Sequence, residues 1–119
     1  FVNLQDKREE IAKNLSYGEQ RLIEIARAMA LDPFLILLDE PSSGLNPRET
    51  IELMDQIQTI NQRGVTVLLI EHRMEVIMGI TQHLIVLNFG RKIFDGSPED
   101  CRKDPEVIKG YLGEEFVSC

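Results

Sequence analysis

Three short stretches of the 119-residue sequence carry side chains whose types and spacing could do chemistry. Phe34-Leu35-Ile36-Leu37-Leu38 is a continuous apolar run that stops at Asp39-Glu40-Pro41, and Val65 to Ile70 is a second run that stops at Glu71-His72. An apolar strand ending in Asp-Glu suits metal-assisted phosphate hydrolysis. Asp39 can hold a Mg²⁺ ion, directly or through water, and Glu40 can polarise an attacking water as general base. His72 can hydrogen-bond a γ-phosphate or that water. Polar residues also follow strands simply because loops begin there, and a lone histidine is commonly solvated or satisfied within a core. The third stretch is Leu15-Ser16-Tyr17-Gly18-Glu19-Gln20. A serine hydroxyl, a glycine that lets backbone approach and a helix N-terminus together form a natural anion site. The same residues spell the S-x-x-E of a capping box, and a Ser16 hydroxyl spent on its own helix is less free for a phosphate.

The elements that must position these groups follow from periodicity. Residues 7–13 are charged and read as helical, and Asn14 to Gly18 interrupt them. An amphipathic helix is expected from about Glu19 to Leu31, because Leu22, Ile25, Ala26 and Met29 fall at i, i+3, i+4 and i+7. Asp32-Pro33 ends it. The run from Phe34 to Leu38 reads as a strand buried on both faces. Asn46 caps a second helix with Pro47 at its first position and Glu49 at its third, and Gly64 closes it. Val65 to Ile70 is a second buried strand, and Met74 to Ile80 a short helix. Leu84–Leu87 and Lys92–Phe94 form a hairpin around Asn88-Phe89-Gly90-Arg91, and short helices at Pro98–Cys101 and Pro105–Leu112 follow. Strand, helix and strand joined by short loops make a parallel βαβ unit. Asp39-Glu40 and Glu71-His72 then share the carboxyl edge of one sheet, where open α/β sheets bind ligands.

Composition excludes several classes. Hydrophobic residues at 43% and charged residues at 28% fit a globular chain rather than a disordered one. A net charge of -7 argues against nucleic-acid binding, which needs a basic stripe. Cys101 and Cys119 have no metal-ligand spacing and read as reduced thiols of an intracellular protein. No apolar run approaches the length of a bilayer span. The opening Phe1-Val2-Asn3-Leu4-Gln5-Asp6-Lys7 has no signal-peptide character and reads as a chain beginning in mid-sequence.

Taken in order and with their spacing, Leu15 to Gln20, Leu35 to Pro41, Ser43-Gly44-Leu45-Asn46-Pro47 and His72 strongly resemble the C-terminal half of an ABC transporter ATPase. The resemblance makes Leu15 to Gln20 the signature motif, Leu35 to Asp39 Walker B, Glu40 the catalytic glutamate, Ser43 to Pro47 the D-loop and His72 the switch-loop histidine. It implies an α/β fold: the C-terminal part of a P-loop NTPase, with parallel strands, flanking helices, a C-terminal hairpin and short helices. Residues 1–31 would end a helical subdomain, and 32–119 would belong to the catalytic core and tail. The cofactors implied are ATP and Mg²⁺, with Asp39 on the metal through water in that family's manner of binding. Asp39, Glu40 and His72 would act on ATP held by the same chain. Ser16, Gly18 and Gln20 would contact the γ-phosphate of ATP held by an opposite ATPase subunit, with Asn46 on the D-loop beside it.

A finer resemblance, to the ATPase subunits of branched-chain amino-acid importers, rests on three stretches: Gly44 to Thr50, Leu69 to Gly79 and Val107 to Glu115. Urea or amide importers and the lipopolysaccharide-export ATPase have similar endings. The implied partners are a second ATPase subunit, identical or not, transmembrane permease subunits and, indirectly, a solute-binding protein. The implied place is the inner face of the cell membrane. Tyr17, Asn46 and Arg73 stand where glycine, aspartate and an acidic residue are commoner. No G-x-x-x-x-G-K-[ST] occurs in the sequence, so the loop that cradles phosphates in this family is not among these residues. Two readings follow: a fragment of a complete ATPase subunit, inactive alone, or a non-enzymatic module that completes a partner's site. A non-transport ABC ATPase is a weaker third. Without a Walker A strand beside it, Val65 to Ile70 is expected to leave an exposed apolar edge.

Overall fold

The apolar spacing of the first long helix organises the N-terminal unit of the chain. The structure is a computed structural model that describes residues 1–112. Gly113, Glu114, Glu115 and Cys119 of the sequence reading lie outside the described residues. Two units are distinguished, Phe1–Ile80 and Thr81–Cys119.

In the first unit, α1 spans Tyr17–Met29 and begins directly after its cap, two residues earlier than periodicity alone suggests. Strand β1 (Leu35–Asp39), helix α2 (Pro47–Gln62) and strand β2 (Thr66–Ile70) form the expected parallel unit, in register from Leu35 opposite Thr66 to Asp39 opposite Ile70. Helix α3 covers Met74–Ile80, and Gln58 donates to the Gly79 carbonyl at 3.2 Å. The core joins Ile25 of α1, Ile36 of β1, Leu53, Ile57 and Ile60 of α2, and Val76 and Ile80 of α3. Leu53 and Ile60 are fully buried, so truncating either to alanine should cost about 2–5 kcal/mol.

Two expectations need correction. Residues 7–13 are not one helix. Short 3-10 turns at Gln5–Lys7 and Ala12–Asn14 flank an irregular stretch. The segment buries no apolar side chain, and helix nucleation is unfavourable without tertiary packing. Nor are the strands buried on both faces. The helices cover the face bearing Ile36, Leu38, Val67 and Leu69. The opposite face leaves Leu37 67% and Ile70 59% exposed, together with Leu35 and Leu68. Strand β2 pairs with β1 on one side and with no other strand among the described residues, so the exposed apolar edge expected there is present.

In the second unit, β3 (Leu84–Asn88) and β4 (Arg91–Gly96) pair antiparallel, with a bulge opposite the Val86–Leu87 step. Phe89 (φ 48°) and Gly90 (φ 74°) form the two-residue turn, both in the left-handed region that such hairpins require. His83 lies 2.8 Å and Lys92 2.9 Å from the Asp95 carboxylate. Lys92, then His83, holds that carboxyl below its ordinary value. Helix α4 (Pro98–Lys103) buries Cys101, a free thiol whose pKa is pushed up by burial and by Asp104. Helix α5 (Pro105–Val107) continues into a π-helical turn over Ile108–Leu112.

Candidate active site

The parallel register places the ends of β1 and β2 side by side. The ladder continues one step past β1, because the Glu40 N–H donates to the Ile70 carbonyl at 2.8 Å. Glu40 then adopts φ 44°, a left-handed conformation costly for a side chain of its type. The chain turns there, with the Ser43 N–H donating back to the Glu40 carbonyl at 3.1 Å. The turn brings Glu40 Oε1 within 3.2 Å of His72 Nδ1. An ionised carboxylate only accepts, so in this pairing Nδ1 carries the donated proton. Both side chains are about half exposed, 50% for Glu40 and 58% for His72. Asp39 is exposed on the uncovered face of the sheet, and no hydrogen bond or ion pair holds its carboxylate among the described residues.

Glu71, grouped by sequence with the reactive carboxylates, has a different task. It accepts from the Ser42 N–H at 3.0 Å, from the Ser42 hydroxyl, and from the N–H groups of His72 (3.1 Å) and Arg73 (3.3 Å). Burial pushes its carboxyl upward, but the hydrogen bonds from Ser42, Arg73 and His72 outweigh that and hold it below its ordinary value. Arg73 Nη1 donates to the Ser42 carbonyl at 3.3 Å and to Thr50 Oγ1 at 3.0 Å, while Nη2 pairs with Glu75. Ser42 is 1% and Thr50 3% exposed. Sequence reasoning missed Ser42, Thr50 and the contacts of Arg73. Nothing in a loop serine's immediate neighbours announces its burial by a partner 29 residues away.

An exposed ion pair contributes about 0–1 kcal/mol, too little to fix Glu40 against His72 unaided. Hydrogen bonds to charged groups contribute about 1.5–3 kcal/mol each, so the bonds beneath are the stronger restraint.

The start of α1 is a closed local arrangement. Ser16 Oγ accepts from the Glu19 N–H at 3.2 Å, and the Ser16 N–H donates to Glu19 Oε2 at 2.8 Å. Capping uses a lone pair of the hydroxyl, and the same hydroxyl also hydrogen-bonds the Glu19 carboxylate. The conflict between capping and anion binding therefore stands, because the O–H must leave Glu19 to meet a phosphate. Lys7 pairs with Glu19 at 2.5 Å. Gln20 Nε2 donates to the Leu15 carbonyl at 3.0 Å. Gly18 is buried, and a Cβ there would lie 2.9 Å from Glu49 Cγ. Glu49 in turn completes a capping box with Asn46, which accepts from the Glu49 N–H at 2.9 Å. Ser16, Gly18 and Asn46 line one open cleft of about 590 Å³ between the starts of α1 and α2.

Comparison with known proteins adds to this geometry. The family pattern described as ABC transporter matches residues 1–43. The chain is 48% identical over 114 residues to BraF, the high-affinity branched-chain amino acid transport ATP-binding protein of Pseudomonas aeruginosa, covering 95% of this chain and 45% of BraF. The chain belongs to the ABC transporter ATP-binding family. Its similarity to LivG of Escherichia coli K12, a protein of the same description, is 49% over 104 residues, covering 87% of this chain and 41% of LivG. A nucleotide-free ATP-binding cassette from an ABC transporter superposes with a TM-score of 0.86 at 30% identity, covering 95% of this chain and 46% of that one. The chain thus spans a little under half the length of the curated relatives it matches. The fold is accordingly part of the ABC ATPase version of the P-loop NTPase fold, and the family implies nucleotide binding.

No group of three His, Cys, Asp or Glu side chains poised to hold a metal occurs among the described residues. A single free carboxylate at a strand end suits Mg²⁺, which keeps several waters and takes its remaining ligands from phosphate oxygens. Asp39 fits that requirement. No helix among the described residues is long and apolar enough to cross a membrane.

Proposed function

We propose that this chain is the C-terminal half of the ATP-hydrolysing subunit of an ABC importer for branched-chain amino acids or related small amides. The observation that carries the reading is the Glu40–His72 pair, 3.2 Å apart at the carboxyl edge of the parallel sheet. Glu40 is the general base for the attacking water. His72, oriented through Nδ1, presents Nε2 to the γ-phosphate. Asp39 would hold Mg²⁺, which when bound would neutralise charge on the phosphate oxygens. Residues 32–119 belong to the catalytic core and tail, and 1–31 end the helical subdomain.

Ser16, Gly18 and Gln20 meet the γ-phosphate of ATP held by an opposite ATPase subunit. Ser16 supplies its O–H, released from Glu19, and Gly18 its backbone N–H. Gln20, bonded to Leu15, braces the turn. Asn46 borders that site from α2. The working assembly is two such subunits on transmembrane permeases, served by a solute-binding protein, at the inner face of the membrane. The names of BraF and LivG support the substrate class. The uncovered apolar face bearing Leu35, Leu37, Leu68 and Ile70 supports a larger domain, since such a patch normally meets further protein.

The test is steady-state ATP turnover by the intact subunit, with its phosphate-binding loop. Glu40→Gln should lower kcat by about 10²–10⁴ while ATP still binds. Undiminished turnover in that variant would refute the reading. The 119-residue chain alone should show no measurable ATPase, since it has no phosphate-cradling loop of its own. A nucleotide-dependent association of this chain with an intact relative, without turnover of its own, would favour the second reading, a module that completes a partner's site.

A further inference from the structure

Glu40 and His72 approach each other on the surface, yet neither side chain is anchored by anything else that the structure records at the site. What lies beneath them is more constrained. His72 sits between Glu71 and Arg73, and both of these flanking residues grip Ser42, two positions beyond Glu40. Glu71 takes the Ser42 N–H and hydroxyl, and Arg73 donates to the Ser42 carbonyl. Every polar group of Ser42 is therefore engaged by the residues on either side of His72, and Ser42 itself is buried.

We propose that Glu71, Arg73 and Ser42 form a clamp that positions Glu40 against His72, and that Arg73 ties this clamp to the start of α2. The proposal rests on the reading of Glu40 and His72 as the hydrolytic pair. The tie runs from Arg73 Nη1 to Thr50 Oγ1 at 3.0 Å, and from the Thr50 hydroxyl to the Asn46 carbonyl at 2.9 Å. Asn46 caps α2 and lines the cleft shared with Ser16. A displacement of the α2 start thus reaches the pair through the side chains of Thr50 and Arg73 and the backbone carbonyl of Ser42. Arg73 can serve because its planar fork donates in two directions, to Ser42 and Thr50 on one side and to Glu75 on the other. A lysine keeps the charge and loses the fork. None of the three clamp residues touches the reacting atoms, so all are positioning residues.

Two measurements test the clamp. The first is the nitrogen NMR shift of His72 Nδ1 in the 119-residue chain, which reports its bond to Glu40 directly. Glu71→Gln, which preserves volume but turns an amide N–H₂ toward backbone donors, should move that resonance. It should also speed amide exchange of Ser42, His72 and Arg73 at least about tenfold, leaving Ile60 protected as proof of folding. Arg73→Lys should move the His72 resonance as well, and Ser42→Ala provides an independent variant should either of the others unfold. An unmoved His72 resonance in folded variants overturns the proposal. The second is ATP turnover by the intact subunit: Arg73→Lys should lower kcat about tenfold with KM for ATP within about twofold. Unchanged kcat beside a shifted His72 resonance overturns the positioning role and leaves a purely structural contact. An intact wild-type subunit that does not hydrolyse ATP refutes the hydrolytic reading instead, and the His72 resonance still decides the clamp.

Discussion

The edge holding Glu40 and the start of α1 solve the same problem by opposite means. At Ser16 every restraint spans five residues or fewer, apart from the Lys7–Glu19 pair: the Ser16–Glu19 box and the Gln20–Leu15 bond. At Glu40 the restraints join residues about 30 positions apart, through Ser42–Glu71 and Ser42–Arg73. The first site can form as soon as one helix does. The second exists only after β1 and β2 have paired. A local cap is modest in energy and robust, whereas a buried polar network fails as a unit when one member is removed.

The same chemical deletion made in both places should therefore give different losses. Ser42→Ala leaves the partly buried Glu71 carboxylate without its hydroxyl donor and should cost about 1–3 kcal/mol in urea unfolding. Ser16→Ala removes an exposed cap and should cost about 1 kcal/mol. Equal losses would mean that the network beneath Glu40 is no stronger than a helix cap, which would break the comparison.

Ser16→Asp sharpens it. Aspartate caps as well as serine, so unfolding should shift by only a few tenths of a kcal/mol. An ionised carboxylate has no O–H to donate, so turnover in the intact subunit should fall at least about tenfold. Turnover close to wild type would show that the hydroxyl serves the helix alone.

The smallest expected effect is in titration. Burial opposes, and hydrogen bonds from Ser42, Arg73 and His72 produce, the lowered Glu71 value, whereas Lys7 is the leading cause at Glu19. Both carboxyls are depressed by folding. Their contribution to stability is therefore present above the unfolded value of about 4.3 and is lost as pH falls through the lower folded value. Added salt should move the Glu19 midpoint toward its ordinary value and leave Glu71 nearly in place, because screening weakens the pair with the exposed Lys7 ammonium, whereas backbone and hydroxyl donors hold Glu71. Carboxyl carbon NMR titrations at low and high salt would check this, and a parallel response of the two groups would count against it.

This contrast also explains what the sequence made legible. The capping boxes at Ser16 and Asn46, the α2 boundaries, the parallel pairing and the hairpin all follow from neighbours within a few residues or from a repeated spacing. The carboxyl-edge placement of Asp39, Glu40 and His72 follows from strand direction. The task of Glu71 was not legible, because its partner Ser42 lies across a sheet edge and only the fold brings them together. Reading β1 and β2 as buried on both faces failed for a related reason. A continuous apolar run records the surroundings a strand is suited to, and here one face bearing Leu37 and Ile70 is left bare among the described residues. Residues 7–13 misled because charge without an apolar stripe gives a helix nothing to pack against.

The left-handed backbone at Glu40 bears on what this chain could become. That conformation disfavours a glutamate by roughly 1–2 kcal/mol, while glycine or asparagine adopts it readily. A chain with no use for the carboxylate would gain stability by replacing it, and random substitution would be expected to find that gain. In the role proposed for it, glutamate at position 40 therefore marks a place where reactivity and thermodynamic stability pull against each other, and where a folded but inert descendant would be easiest to reach.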